Sequence, residues 1–251
     1  MRDDKRTCVF CASEGPMTQE DIVPRWMHRL FRPQPEARHH QEYDGREPRE
    51  WSAEKGIKYT VGRVCADCNS GWMSRLEAAA KPVLTPVLQG SRAHILPADQ
   101  RLLAAWITKT ALIQMLTLPK RYVSADQYLA FGSVLQPLPK SVILVGTVSD
   151  YRRRPIRGHS RLLRLAVDGV VLAPDAVCAT HLLGHFVFQV IFHDLSGRQR
   201  LAIDPHLQDA GYLGQLWPCT PDGLDWPPPS TFTHEAFEHL ALKCASRIGL
   251  A

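Results

Sequence analysis

Cys8-Val9-Phe10-Cys11 and Cys65-Ala66-Asp67-Cys68 are the residues in this chain best suited to chemistry. Each pair sets two thiols across a tight turn, the bite one knuckle offers a tetrahedral zinc ion, and two knuckles make a closed four-thiolate site. Such a site leaves no position for water, so the zinc would be structural. The other readings are four unrelated buried cysteines or an iron–sulfur cluster, and nothing else in the sequence points to redox chemistry. Seven cysteines is an odd number, which disfavours a full disulfide framework. Cys178, Cys219 and Cys244 have no partner at metal spacing, and Cys178 and Cys244 read as core residues.

Two polar stretches accompany the knuckles: Thr18-Gln19-Glu20-Asp21-Ile22-Val23-Pro24-Arg25-Trp26 lies between them, and Asn69-Ser70-Gly71-Trp72 follows the second. On their own terms Glu20 and Asp21 are charges ahead of a helix starting near Pro24, favourable to its dipole. Asn69 would be a helix N-cap. Trp26 and Trp72 read as core, and Glu77 as a structural partner of Arg75 or Arg25.

Taken together, Cys-x2-Cys, acidic-x-apolar-apolar-Pro, then Cys-x2-Cys-Asn leading into a helix resembles the zinc-containing HNH endonucleases, over about residues 8–80. The likeness extends to Pro-x-Trp at Pro24–Trp26 and Asn-x-Gly-Trp at Asn69–Trp72. The resemblance implies a ββα-metal, treble-clef-like module in which a strand carries the catalytic pair and the following helix supplies a metal ligand. By position it makes Glu20 and Asn69 ligands of a catalytic divalent ion. Asp21 stands where that family has its general-base histidine, and Asn69 is the only asparagine of the chain. An aspartate near pKa 3.9 is a weaker base than imidazole near 6.5, so part of the rate would be lost. Asp21 beside Glu20 suits a ligand role better, and the oxygen donors Glu20, Asp21 and Asn69 suit Mg²⁺ or Mn²⁺. The base would then be metal-bound hydroxide or one of His28, His39 and His40. The implied activity is metal-dependent phosphodiester hydrolysis on DNA, or on RNA. The alternative is a catalytically degenerate HNH scaffold that binds nucleic acid or protein.

These residues need elements to position them. Residues 1–96 are expected to form the zinc module, with a polar, loop-like insertion at about 32–55, and residues 97–251 an α+β domain of unknown role. The predicted elements are a strand at Ile57–Val61, helices at Ser70–Val83 and from an Asp99 N-cap to Leu118, and strands at Ser141–Val148 and Phe186–Phe192, with a buried helix over Leu182–Phe192 as the alternative to the last. A hairpin over Leu162–Leu172 turns at Asp168-Gly169, and a last helix spans Thr233–Ile248. The fold class is α+β, with helices on an antiparallel sheet in the second part.

The charge of +5 is mild, but residues 1–80 balance at 13 basic and 13 acidic, leaving 17 of the 30 basic and 12 of the 25 acidic residues beyond them. A grip on a polyanion would therefore lie mostly in the second part, where Arg152, Arg153, Arg154 and Arg157 form either a phosphate-binding cluster or a solvated loop. No apolar run is long enough for a membrane span, and the charged start runs straight into Cys8, leaving no room for a signal peptide. A cytoplasmic protein is expected.

Overall fold

The computed structural model describes residues 7–31, 37–42, 49–53, 60–118, 121–150, 156–167, 170–193, 199–203, 207, 210–243 and 246–250. For residue 28 and for 37–42, 49–53, 161–167, 170–175, 199–203, 242–243 and 246–250 only the backbone is described. The fold is mixed α+β.

The first strand, β1 (Met17–Asp21), pairs antiparallel with β4 (Thr60–Cys65). Between them come a single turn of helix, α1 (Met27–Leu30), and the strands β2 (Ala37–Glu42) and β3 (Arg49–Ala53). The stretch expected to be loop-like thus contributes two strands. Among the described strands β3 lies at the sheet edge, its backbone paired on one side only. After β4 the chain makes a wide helical turn over Asp67–Met73 and runs into α2 (Ser74–Leu88). This helix passes the expected stop at Val83 and holds Pro82 and Pro86 inside it. Leu84, Val87 and Leu88, all fully buried, keep it docked where proline removes two backbone donors.

A short β5 (Ala93–Ile95) leads to α3 (Pro97–Met115). Leu96 occupies the N-cap position and Asp99 sits in the first turn, so Asp99 acts on the helix dipole and is not the expected cap. From Leu103 to Met115 every residue of α3 is buried, as expected of a helix apolar on all sides. A helix not anticipated in the sequence, α4 (Ala125–Val134), opens with a capping box between Ser124 and Gln127.

The strands β6 (Ser141–Thr147), β7 (Ile156–Val167), β8 (Val170–Leu183) and β9 (Phe186–Phe192) form the centre of a seven-stranded sheet. Its order is β11-β6-β9-β8-β7-β2-β3, with β11 at Gly214–Trp217. All pairs are antiparallel except β2 with β7, which run parallel, so the sheet is mixed. The expected hairpin is present, with Val167 opposite Val170. Successive residues point to opposite faces, and the packing divides accordingly. Val145 and Phe188 share one apolar cluster with α2 and α3, whereas Leu144, Leu182 and Val187 join a second with α5 (His234–Lys243). A sheet covered on both faces explains why β9 is buried at every position.

Two small ribbons, β10 (Gln199–Ile203) with β13 (Ser246–Leu250) and β12 (Leu224–Trp226) with β5, complete the described fold. The expected final helix thus ends at Lys243, and its last residues form β13. Buried residues from Cys8 to Trp226 belong to one cluster, which spans both sides of Leu96–Pro97. Among the described residues no helix is long and apolar enough to cross a membrane.

Candidate metal centre

The first knuckle is a turn in which the Ala12 amide donates to the Cys8 carbonyl at 2.9 Å and the Cys8 amide to Ser13 at 3.0 Å. Ala12 takes a left-handed conformation, with φ 58°, to close it. The Val9 amide donates to the Arg63 carbonyl at 3.1 Å and ties this turn to β4. The second knuckle begins at Cys65, the last residue of β4, and ends at Cys68 in the wide helical turn. Phe10, inside the first knuckle, is buried with its ring edge-on to Trp72, Tyr128 and Phe131 at 5.5, 5.4 and 6.2 Å. Trp72 is therefore packed as core.

The four sulfurs lie within 4.8 Å of one another. Cys11 Sγ and Cys65 Sγ are 3.6 Å apart, close to the ~3.8 Å edge of a tetrahedron with Zn–S bonds of about 2.3 Å. Cys8, Cys65 and Cys68 are buried and Cys11 is exposed. Burial pushes the Cys65 and Cys68 thiols up. At Cys11 burial also acts upward, but hydrogen bonds with Ser13 and with the neighbouring cysteines outweigh it and bring the thiol down to about 7. The raised Cys65 and Cys68 thiols favour the neutral form until a cation compensates their charge, and four sulfurs at this spacing fit one metal ion such as zinc.

The residues expected to hold a second, catalytic ion are arranged differently. Asn69, in the turn after β4, donates through Nδ2 to Thr18 Oγ1 at 2.8 Å, and Thr18 donates to the Val64 carbonyl at 2.9 Å. The helix start is thereby pinned to β1. Thr18 and Glu20 share a face of β1 by strand alternation, and the register shift between them adds its extra residue in β4. Asp21 points to the other face. It accepts from Arg25 Nε at 2.8 Å, and that arginine is exposed. Glu20 is buried, and its Oε1 accepts from Lys109 Nζ at 2.7 Å. The same ammonium donates to Glu77 Oε1 at 2.8 Å.

Glu77 thus pairs with Lys109 of α3 and not with Arg75 or Arg25 as expected. Burial alone would lower the Lys109 pKa, but the charges of Glu77 and Glu20 outweigh it and hold the group above the ordinary lysine range. Burial pushes Glu20 upward, opposed by Lys109. We take the ammonium form as the state of this site, since one cation faces two carboxylates. Glu20, Asp21 and Asn69 therefore do not fit one divalent ion as arranged: adjacent strand positions separate the two carboxylates, and Glu20 already faces a cation. Lys109 was not foreseen, although a lone lysine inside a helix apolar all round signals a buried charge.

Arg157 is buried, with Nη2 3.0 Å from Glu238 Oε1, and so points into the fold instead of presenting a phosphate contact. Arg152, Arg153 and Arg154 lie outside the described residues, as do the side chains of His28, His39 and His40. Arg25 and Arg29, just after β1 in the chain, and Arg75 and Lys81 of α2 are exposed cations, and Lys81 Nζ stands 5.4 Å over the Trp26 ring. A sequence-distant pair also escaped notice: His94 Nδ1 lies 2.7 Å from Asp225 Oδ1 across the β5–β12 ribbon. Compared with known proteins, the chain matches no family model, no curated protein and no solved structure.

Proposed function

We propose that this chain carries a zinc-stapled scaffold of the HNH, ββα-metal type that binds nucleic acid without hydrolysing it. The hairpin of β1 and β4 followed by α2, braced by four thiols, supports the scaffold, together with the order of motifs in the sequence. The observation that carries the binding reading is Lys109, which supplies Glu20 and Glu77 with a cation from the chain itself. With Asp21 turned to the other face and Glu20 facing Lys109, the described residues do not bring Glu20, Asp21 and Asn69 onto one ion that could activate water. The grip would come from Arg25 and Arg29 after β1 and Arg75 and Lys81 on α2, and from Arg152, Arg153 and Arg154 in the second part.

A second reading, metal-dependent hydrolysis of DNA or RNA, is favoured by one contact. The Asn69–Thr18 hydrogen bond holds the helix start against the strand that carries Glu20, as the resemblance requires.

One experiment separates the two. Zinc-loaded protein is titrated with labelled duplex and single-stranded DNA and RNA at several salt concentrations, and the same preparation is incubated with supercoiled plasmid in Mg²⁺, Mn²⁺ or EDTA. The expected result is binding whose logarithm falls linearly with log salt, with no nicking. Nicking that needs Mg²⁺ or Mn²⁺ and disappears in Glu20→Gln and Asn69→Ala would replace binding by hydrolysis. Neither binding nor nicking would remove nucleic acid as the partner.

A further inference from the structure

Lys109 lies at the middle of α3 with its side chain wholly buried, and its ammonium bridges Glu20 of β1 at 2.7 Å and Glu77 of α2 at 2.8 Å. A lysine loses its hydration at such a position, so natural chains rarely leave one there without partners. Here the two partners come from two separate elements, β1 and α2, and converge on an ammonium supplied by a third, α3. Two carboxylate oxygens from different elements aimed at one centre is also the approach by which an oxygen-preferring divalent ion is held. The distances to Nζ are those of charged hydrogen bonds. A Mg²⁺ or Mn²⁺ ion would draw the same oxygens in to about 2.1 Å, a shift of roughly half an ångström on each side. Glu77 keeps its side chain 24% exposed while that of Lys109 is fully buried, so solvent lies on the Glu77 side of the point. Glu20 and Asn69 belong to the same end of the hairpin, through the Thr18 bond already described.

We propose that Lys109 is a built-in substitute for a divalent ion: Glu20 and Glu77 form a cation site that the chain fills with its own ammonium. The module then keeps these two carboxylates bridged by a cation whatever the supply of metal, and α3 is locked to the zinc-braced hairpin by charge. The consequence for a ligand is electrostatic. With the ammonium present, the triad carries one negative charge in place of two, which lowers the repulsion of an incoming phosphate. The triad stands on the geometry of these three residues whether or not the partner is nucleic acid.

The test is a Mn²⁺ titration followed by electron paramagnetic resonance on zinc-loaded protein, for wild type, Lys109→Met, and Lys109→Met combined with Glu20→Gln or with Glu77→Gln. Methionine keeps the length and removes the charge. Wild type should show no Mn²⁺ site that depends on Glu20. Lys109→Met should gain about one Mn²⁺ per chain with affinity at least about tenfold above wild type, the smallest change expected from removing a full competing charge within hydrogen-bond reach. Both double variants should lose that site. A wild-type Mn²⁺ site abolished by Glu20→Gln would overturn the proposal, as would a folded Lys109→Met that takes up no Mn²⁺. Should Lys109→Met lose its fold, Mn²⁺ added during refolding should restore zinc-loaded, cooperatively melting protein, and failure to do so would equally overturn it.

Discussion

Gly132, in α4, sits against the first knuckle closely enough to make a single methyl group decisive. A Cβ built there would lie 2.2 Å from the Phe10 carbonyl oxygen and 3.1 Å from its carbon. Ordinary carbon–oxygen contacts are about 3.3 Å or longer, so one partner has to retreat by roughly 1 Å. The obstacle is backbone, which no rotamer change relieves, and Phe10 stands between Cys8 and Cys11 of the four-thiol cluster. Alanine in a helix interior normally gains about 1 kcal/mol over glycine, whereas overpacking of this kind costs about 1–3 kcal/mol or more. Gly132→Ala is therefore expected to lower stability by about 1–2 kcal/mol net. Metal sites tolerate displacements of only about 0.2 Å, so zinc affinity should fall by at least about tenfold, or ~1.4 kcal/mol. The measurements are chelator competition for zinc and thermal unfolding of the zinc-loaded protein. Ala130→Gly, on the exposed side of the same helix, is the control: it should weaken the helix by up to about 1 kcal/mol and leave zinc affinity unchanged. A Gly132→Ala protein with wild-type zinc affinity and a raised melting temperature would refute the close approach of α4 to the knuckle.

Four further outcomes are expected. Cys65→Ser should release the metal and unfold the hairpin region by circular dichroism, and wild-type protein carrying less than about half an equivalent of zinc would refute the four-thiolate site. Glu20→Gln should cost about 3 kcal/mol in urea unfolding, at the low end for a broken buried pair because Glu77 still faces Lys109. Asp21→Asn, which loses only a surface contact with Arg25, should cost less than about 1 kcal/mol. The His94 imidazole is held above the usual histidine range, chiefly by its hydrogen bond to Asp225 and against a small opposing effect of desolvation. A folded-state value above the unfolded one means that the tie is fully present below the ordinary histidine range and is lost as pH rises through the raised value. NMR titration of His94 should show this, and Asp225→Asn should return the value toward normal.

What the sequence disclosed follows from how local each signal is. The knuckles were legible because two cysteines three apart suffice to bring thiols to one turn, and the β-branched run at Ser141–Val148 and the apolar runs either side of Asp168-Gly169, which pair with Val167 opposite Val170, are equally local signals. Helix α2 ran past Val83 because long-range burial of Leu84 and Leu88 outweighed the local effect of Pro82 and Pro86. Residues Ser246–Leu250 became a strand because β10 supplies a partner some forty-five residues away, information absent from the segment itself. The candidate site was half legible. Glu20, Asp21 and Asn69 could be picked out by motif, but strand alternation and the Lys109 bridge, eighty-nine residues along the chain, decide what each side chain meets. Only the assembled fold contains that pairing.

The parallel pairing of β2 with β7 has a consequence for how the chain comes together. His40 lies opposite His159, so the strand that borders β3 waits for a partner made more than a hundred residues later. A nascent chain can close the four-thiol site as soon as Cys68 has emerged, trapping β2 and β3 inside a loop whose neck is already cinched. Until β7 follows, the flank of β2 that β7 will cover remains an open template for another strand. Such remote contacts slow folding, because the entropy of closing a long loop comes before any reward from pairing. Fragments cut near Leu96–Pro97 should therefore aggregate or recruit a second chain at that flank, and co-expression of the two pieces should restore what neither retains alone.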